Sequence, residues 1–305
     1  MKTIFLHLSL LFLLSGCSKL VKPQQLLADV KELSSDKYQG RKTGTNGNKM
    51  AADYIVKRFE EVGLKPVKEN FRLPFSIKNQ SGKLISGINL TGLIKGKNDD
   101  IIVISAHYDH VGIVDGKVYN GADDNASGVA ALLDLAKYFK SNPPQQTLMF
   151  VAFDAEEQGL LGSKAFMETP PFDLSRIKLN VNLDMVSRAD NGKLFAAGSY
   201  HYPELKKYII SSNKQIKLVA GHDLPKNGKE DWTNQSDHFS FHKKGIPFIY
   251  FGVESHKDYH KASDDFERIN KIKFENCVDV ILKAVIEIDK GMAIHKSFRE
   301  KVIMN

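Results

Sequence analysis

Four short strand-like runs, each followed by a histidine or an acid, set the strongest limit on how this chain can fold. Ile101-Ile102-Val103-Ile104 leads to His107, and Leu148 to Phe153 leads to Glu156-Glu157. Leu179 to Leu183 leads to Asp184, and Ile246 to Phe251 is followed by His256 and His260. Short apolar runs such as the first two read as buried strands, and the other two repeat the same order of strand and then ligand. In open α/β sheets, ligands gather in the crevice beyond the carboxyl ends of the strands. The expected class is therefore α/β, a central and mostly parallel mixed sheet flanked by helices, with a site along one sheet edge.

The residues at those strand ends are competent to bind metal. His107-Tyr108-Asp109, then Gly121-Ala122-Asp123-Asp124-Asn125-Ala126-Ser127-Gly128, then Asp154-Ala155-Glu156-Glu157 occur in that order. Imidazole and carboxylate suit zinc, a carboxylate can bridge two cations, and paired ions can share an attacking hydroxide. Cysteine is absent from the set, which favours a catalytic over a structural zinc. Each piece alone is weak. The aspartate segment could be a turn and helix cap, because Asp, Asn and Ser side chains bond nearby backbone N–H groups. Glu-Glu is usually a solvated face. Their shared order at strand ends points to a metal-dependent hydrolase. His110, His201, His222, His242 and His295 read as surface or core residues, His256 as a weaker pocket candidate, and His238 as a supporting residue.

The pattern H-x-D, G-A-D-D-N-A-S-G, A-E-E-x-G-L-L-G-S, L-D-M, S-D-H and Y-H-x-x-S-D resembles the co-catalytic two-zinc aminopeptidase family. Its relatives include glutamate carboxypeptidases, the transferrin receptor and animal glutaminyl cyclases. The resemblance covers roughly residues 30 to 290. It implies two zinc ions per chain, one held by His107 and Asp184 and the other by Glu157 and His260, with Asp123 bridging them. It also implies that Glu156 is the general base, that Asp109 orients His107, and that the Asp123–Asp124 bond is cis. The implied chemistry is peptide hydrolysis by a metal-bound hydroxide, with Glu156 taking the water's proton and returning it to the departing amine. Removal of amino-terminal residues is the leading activity. Glutaminyl-peptide cyclisation, carboxypeptidase or other amidohydrolase activity, and a binding protein without catalysis are the alternatives. Two positions depart from the family pattern. Trp232 to Gln235 stands where a tyrosine often precedes Ser-Asp-His, leaving the oxyanion donor open, and the segment after His260 lacks a proline but keeps Asp264.

The first residues bear on location. Met1-Lys2 precedes an apolar run from Ile4 to Leu14, and Leu14-Ser15-Gly16-Cys17 resembles the lipobox of a bacterial lipoprotein. The run is too short to span a bilayer and reads as a signal peptide over 1–16. Cys17 is the expected lipidation site, and several acyl chains anchor more firmly than one. Ser18 in place of an acid favours the outer membrane, facing the periplasm. Residues 17–27 read as a tether, and 28–305 as one peptidase domain. Cys277 is the other of two cysteines, so no disulfide can form within the processed chain. The formal charge of +7 comes from scattered lysines, which reads as a solvated surface and argues against nucleic acid, while peptide substrates are what the resemblance implies.

Further elements follow from periodicity. Ala51, Ile55, Phe59 and Val62 mark a helix stopped by Gly63, and Asn79-Gln80-Ser81-Gly82 reads as a hairpin turn within a strand-like region from about 66 to 95. Val129, Leu132, Leu133, Ala136 and Phe139 place a helix behind the aspartate loop, ended by Asn142-Pro143-Pro144. Its N-terminus would aim positive partial charge at the aspartates. Residues 190–235 are loop-rich and expected to form the pocket rim.

Overall fold

A computed structural model describes residues 23–209 and 213–291. The signal peptide, Cys17 and His295 lie outside the described residues. Helix α1 spans Pro23–Leu33 and α2 spans Asn46–Val62. The strands of the first half are β1 (Lys65–Pro66), β2 (Arg72–Lys78), β3 (Leu84–Ile94) and β4 (Ile101–His107). A small hairpin, β5 (Gly112–Val114) and β6 (Lys117–Tyr119), precedes α3 (Gly128–Ser141). Then come β7 (Thr147–Phe153), α4 (Leu161–Glu168), β8 (Ile177–Leu183), β9 (Lys193–Ala197) and β10 (Lys217–Ala220). The chain closes with α5 (His238–His242), β11 (Phe248–Gly252) and α6 (Lys271–Gly291).

The main sheet runs β1-β3-β7-β4-β8-β11-β9-β10, with β2 paired to β3. Its centre, β7-β4-β8-β11, is parallel, while β3 and β9 join that centre antiparallel. His107 lies opposite Phe153 and Leu183 opposite Phe251. The chain therefore leaves all four central strands at one edge, where His107, Glu156-Glu157, Asp184 and the segment to His260 emerge. This is the expected architecture, and its cause is visible in the burial. Ile102, Ile104, Phe150, Val181 and Leu183 face a core shared with α1, α2, α3 and α6. The alternate residues Ile101, Val103, Met149, Val151 and Phe153 face a second core with Phe166 and Phe241 of α4 and α5. Helices on both faces make both side-chain sets of β4 and β7 largely apolar, which is why Ile101–Ile104 and Leu148–Phe153 are continuous.

Local signals hold where the backbone demands them. Thr45 caps α2 by accepting from Asn48 N–H, and Gly63 ends it in the left-handed region at φ 80°. The hairpin turn is organised by Asn79, whose Oδ1 accepts from the N–H groups of Ser81 and Lys83. Cys277 is buried on α6 between Phe274 and Val278 as expected. Of the expected tether, 17–27, the residues from Pro23 on lie in α1, which buries Leu26, Val30 and Leu33. Proline suits a helix's first position, and that apolar spacing needs a partner surface. Among the described residues no helix is long and apolar enough to cross a membrane.

Buried Arg41, in the loop after α1, ties these elements to the site edge. Its guanidinium donates to the carbonyls of Leu33, Tyr108, Asn120 and Gly121 at 2.6–3.0 Å. Burial pulls it down to about 10, which leaves it charged at neutral pH. Arg41→Met would orphan four carbonyls, and a buried unsatisfied polar group costs about 1–3 kcal/mol. The expected loss of stability is at least about 3 kcal/mol by urea unfolding. An unchanged unfolding midpoint would show that water replaces the clasp.

Candidate metal centre

The centre is built on the strand ends. His107, the last residue of β4, places Nε2 3.3 Å from Asp184 Oδ1 and 3.3 Å from Asp124 Oδ1. Across the cleft, His260 Nε2 lies 3.1 Å from Asp124 Oδ2 and 3.4 Å from Glu157 Oε2. Asp124 thus offers one carboxylate oxygen to each side. Glu156 stands with His107 and Asp184, and His110 stands with Asp124 and Glu157, as two groups of closely set donor atoms.

Asp124, and not Asp123 as expected, lies between the two donor pairs. Asp123 is fully buried and turned the other way: its Oδ1 accepts from Ser187 N–H at 2.8 Å and Ser187 Oγ at 2.6 Å. Its Oδ2 lies 3.0 Å from His256 Nε2. Neighbouring side chains on an irregular turn point apart, so only one of the adjacent acids can face the cleft. The cis bond is likewise Asp124–Asn125, not Asp123–Asp124. Asp264 holds the turn by accepting from the N–H groups of Asp123 and Asp124 at 3.0–3.1 Å. Asn125 clamps it to the end of β8: Nδ2 donates to Leu183 O, and Oδ1 accepts from the N–H groups of Gly128 and Met185.

Asp109 also acts differently from expectation. His107 Nδ1 is 3.2 Å from the backbone carbonyl of Asp109, whereas the Asp109 carboxylate is 3.7 Å away. The carbonyl orients the imidazole by accepting from Nδ1–H, leaving Nε2 free for a metal. The carboxylate instead accepts from the N–H groups of Glu156 at 3.0 Å and Glu157 at 3.3 Å. It pins the turn that carries both glutamates and sends them in different directions.

The donor set fits zinc. Ligand atoms about 2.0–2.1 Å from a tetrahedral zinc lie roughly 3.3 Å from one another, and the four separations above span 3.1–3.4 Å. The charge balance agrees. Burial, with Asp184, Asp237 and Glu157 adding to it and His107 opposing, holds Glu156 well above the usual carboxylate range. Burial only partly offset by His107 and Ser163 pushes Asp237 up to about 7. At His107 burial opposes charge, but Asp184, Glu156 and Asp124 prevail and hold the imidazole well above its ordinary value. A surplus of carboxylates this large is relieved by cations.

A cleft of about 290 Å³ opens over the donors, lined by Leu160, Met185, Trp232, Val253 and Tyr259. Within the expected rim, 190–235, Trp232 and Gln235 alone among the described residues line it; β9 and β10 extend the sheet edge instead. Trp232 stacks on His222 at 3.8 Å, and its carbonyl is 2.9 Å from His238 Nε2. Burial pulls His238 down to about 3, so it is a neutral strut for the wall. His201 and His242 pack with Tyr202 and Phe248, away from the donors. Sequence reasoning missed His110, which reaches Glu157, and Tyr259, whose ring stacks on His260 at 3.9 Å. The fourth position of His107-Tyr108-Asp109-His110 was the available signal for the first, and the Tyr-His pair for the second.

Known proteins resemble this chain in sequence and in fold. Aminopeptidase YwaD of Bacillus subtilis is 31% identical over 272 residues, covering 84% of this chain and 56% of that protein. The chain thus spans little more than half of that relative. The solved structure of BSAP, a zinc aminopeptidase from Bacillus subtilis, superposes with a TM-score of 0.69 at 20% identity, covering 92% of this chain and 98% of that one. Porphyromonas gingivalis glutaminyl cyclase superposes with a TM-score of 0.71 at 18% identity, covering 88% and 99%. At these identities the two structures speak for the fold. Residues 89–285, which carry every donor from His107 to His260, match peptidase family M28, and the chain belongs to that family.

Proposed function

We propose that this chain is a zinc-dependent peptidase that removes amino-terminal residues from peptides. The observation that carries the reading is the division of Asp124 between two donor pairs, Oδ1 toward His107 with Asp184 and Oδ2 toward His260 with Glu157. Zinc bound there supplies Lewis acidity and lowers the pKa of water. In this reading His107, Asp184, Asp124, Glu157 and His260 hold two ions. Glu156, beside His107 and Asp184, takes a proton from the attacking water and returns it to the leaving amine. Asp109 keeps Glu156 and Glu157 in place through their backbone N–H groups. Tyr259, half-buried in the cleft wall, is the candidate oxyanion donor in place of the tyrosine absent before Ser236. Tyr259→Phe is expected to lower kcat about 10²-fold with zinc retained. Unchanged kcat would assign that task elsewhere.

Similarity to a glutaminyl cyclase fold supports a second reading, cyclisation of amino-terminal glutamine. Cyclisation needs the substrate's own amine to attack while water is excluded. The two complete donor pairs favour hydrolysis. Zinc stoichiometry and turnover of leucyl, alanyl, lysyl, glutaminyl and amino-acetylated peptides test both. The expected result is two zinc ions, inhibition by chelators, restoration by zinc, release of free amino-terminal residues and poor turnover of acetylated peptides. Rapid pyroglutamate formation without hydrolysis would favour the cyclase. Preference for acetylated peptides would point to a carboxypeptidase or another amidohydrolase.

The proposed location is the cell envelope, through a lipid anchor at Cys17. The lipobox-like Leu14-Ser15-Gly16-Cys17 supports it. Cys17→Ser is expected to yield retained precursor or soluble protein, because serine lacks the thiol. A variant that is processed normally and still partitions with salt-washed membranes would reject the anchor.

A further inference from the structure

Resting on the two-zinc reading, we propose that His110 is a positioning residue for Glu157, fixing which oxygen of that carboxylate faces the ion. His110 is buried, and its Nδ1 stands 2.7 Å from Glu157 Oε1. The other oxygen, Oε2, is the one directed toward His260. The two imidazoles therefore take opposite oxygens of a single carboxylate.

His110 Nδ1 also lies 3.6 Å from Asp124 Oδ2, and it is the distance to Glu157 that separates this role from that of a ligand. Pairs that would share an ion lie 3.1–3.4 Å apart, as expected for neighbours on a tetrahedral zinc. The His110–Glu157 separation is that of a short, charge-assisted hydrogen bond. An ionised glutamate only accepts, so the proton of that bond sits on Nδ1. With the proton at Nδ1 an imidazole presents a lone pair at Nε2, and here Nε2 is buried without a hydrogen-bond partner among the described residues. A buried lone pair is tolerated better than a buried, unpaired N–H.

The fold makes room for this contact. Gly121, at φ 54°, opens the aspartate turn beside the His110 ring. A Cβ at that position would stand 2.5 Å from His110 Cδ2 and 2.1 Å from the Asp124 carbonyl. The motif's first glycine thus admits both the turn that presents Asp124 and the imidazole that steadies Glu157. With Oε1 occupied by N–H, Glu157 offers one oxygen to the ion, and less rotamer freedom remains to be lost on binding.

Zinc titration calorimetry of chelator-stripped full chain, comparing wild type, His110→Ala and His110→Asn, tests the role. Asparagine can place an amide N–H near the position of Nδ1 and is a poor zinc donor. His110→Ala should weaken zinc at the Glu157 position by about 10–100-fold and leave the His107 position unchanged. His110→Asn should recover most of that loss. Wild-type affinity in the alanine variant would overturn the proposal, as would an asparagine variant as weak as alanine, the result expected of a direct ligand. A second measurement requires no variant to fold. In stripped wild type at alkaline pH, ¹⁵N shifts should show His110 protonated at Nδ1, and protonation at Nε2 would overturn the proposal. Wild type that binds no zinc would sink the peptidase reading, while the tautomer would still judge the hydrogen bond.

Discussion

Glu156→Gln is expected to keep zinc and lose turnover by about 10²–10⁴-fold, the range set by removal of a general base. The amide preserves shape and volume but cannot accept a proton. Glu156 stands with His107 and Asp184, and its surroundings hold its carboxyl well above the ordinary range. Its backbone is pinned by Asp109 and does not depend on the carboxylate, so the substitution should leave the turn intact. Metal content and kcat measured on one preparation decide the matter. Near-normal turnover with full metal would place the base elsewhere.

Asp124→Ala should strip the centre. Its two oxygens face different imidazoles, so one substitution removes a donor from each ion and leaves His107 and His260 without their common partner. The expected loss of affinity at both positions exceeds the roughly 10–100-fold typical of removing a residue that only supports a ligand. Asp123→Asn, one residue earlier, should retain zinc uptake while lowering the unfolding midpoint, since Asp123 bonds Ser187 and lies against His256. Metal analysis after dialysis separates the two acids. Two ions retained in Asp124→Ala would reject the shared carboxylate.

The adjacency of those acids shows where sequence reading ends. Strand ends are legible because burial on both faces writes a short, mostly apolar run, and His107, Asp184 and the two glutamates follow such runs closely. No comparable periodicity governs Ala122–Ser127, where the backbone follows neither helix nor strand. There, the direction of each carboxylate is set by distant groups: Asp264 on the backbone N–H groups, Asn125 on β8, and Ser187 on Asp123. Arg41 was equally hidden, because a lone basic residue in a polar stretch gives no pattern, and its four acceptors come from three separate segments. Asn180, Asn182 and Ser105 interrupt the apolar runs for a related reason. They form a buried polar ladder under the site, reaching Ser236 through Asn182.

Asp123 joins three stretches far apart in the chain: its own turn, the segment after Asp184, and the segment that carries His256 and His260. Asp264 closes the loop by returning from beyond His260 to the same turn. None of these segments can swing out without breaking buried hydrogen bonds of another, so they should open together as one cooperative unit. The cleft wall that would meet a substrate side chain, Met185 on one segment and Tyr259 on another, therefore shares the rigidity of the candidate metal donors. Selectivity for that side chain is expected to change through the size and shape of wall residues more readily than through loop motion. Amide exchange around Ser187 and His256 should slow in step when zinc binds, although the two are held by different ends of one carboxylate.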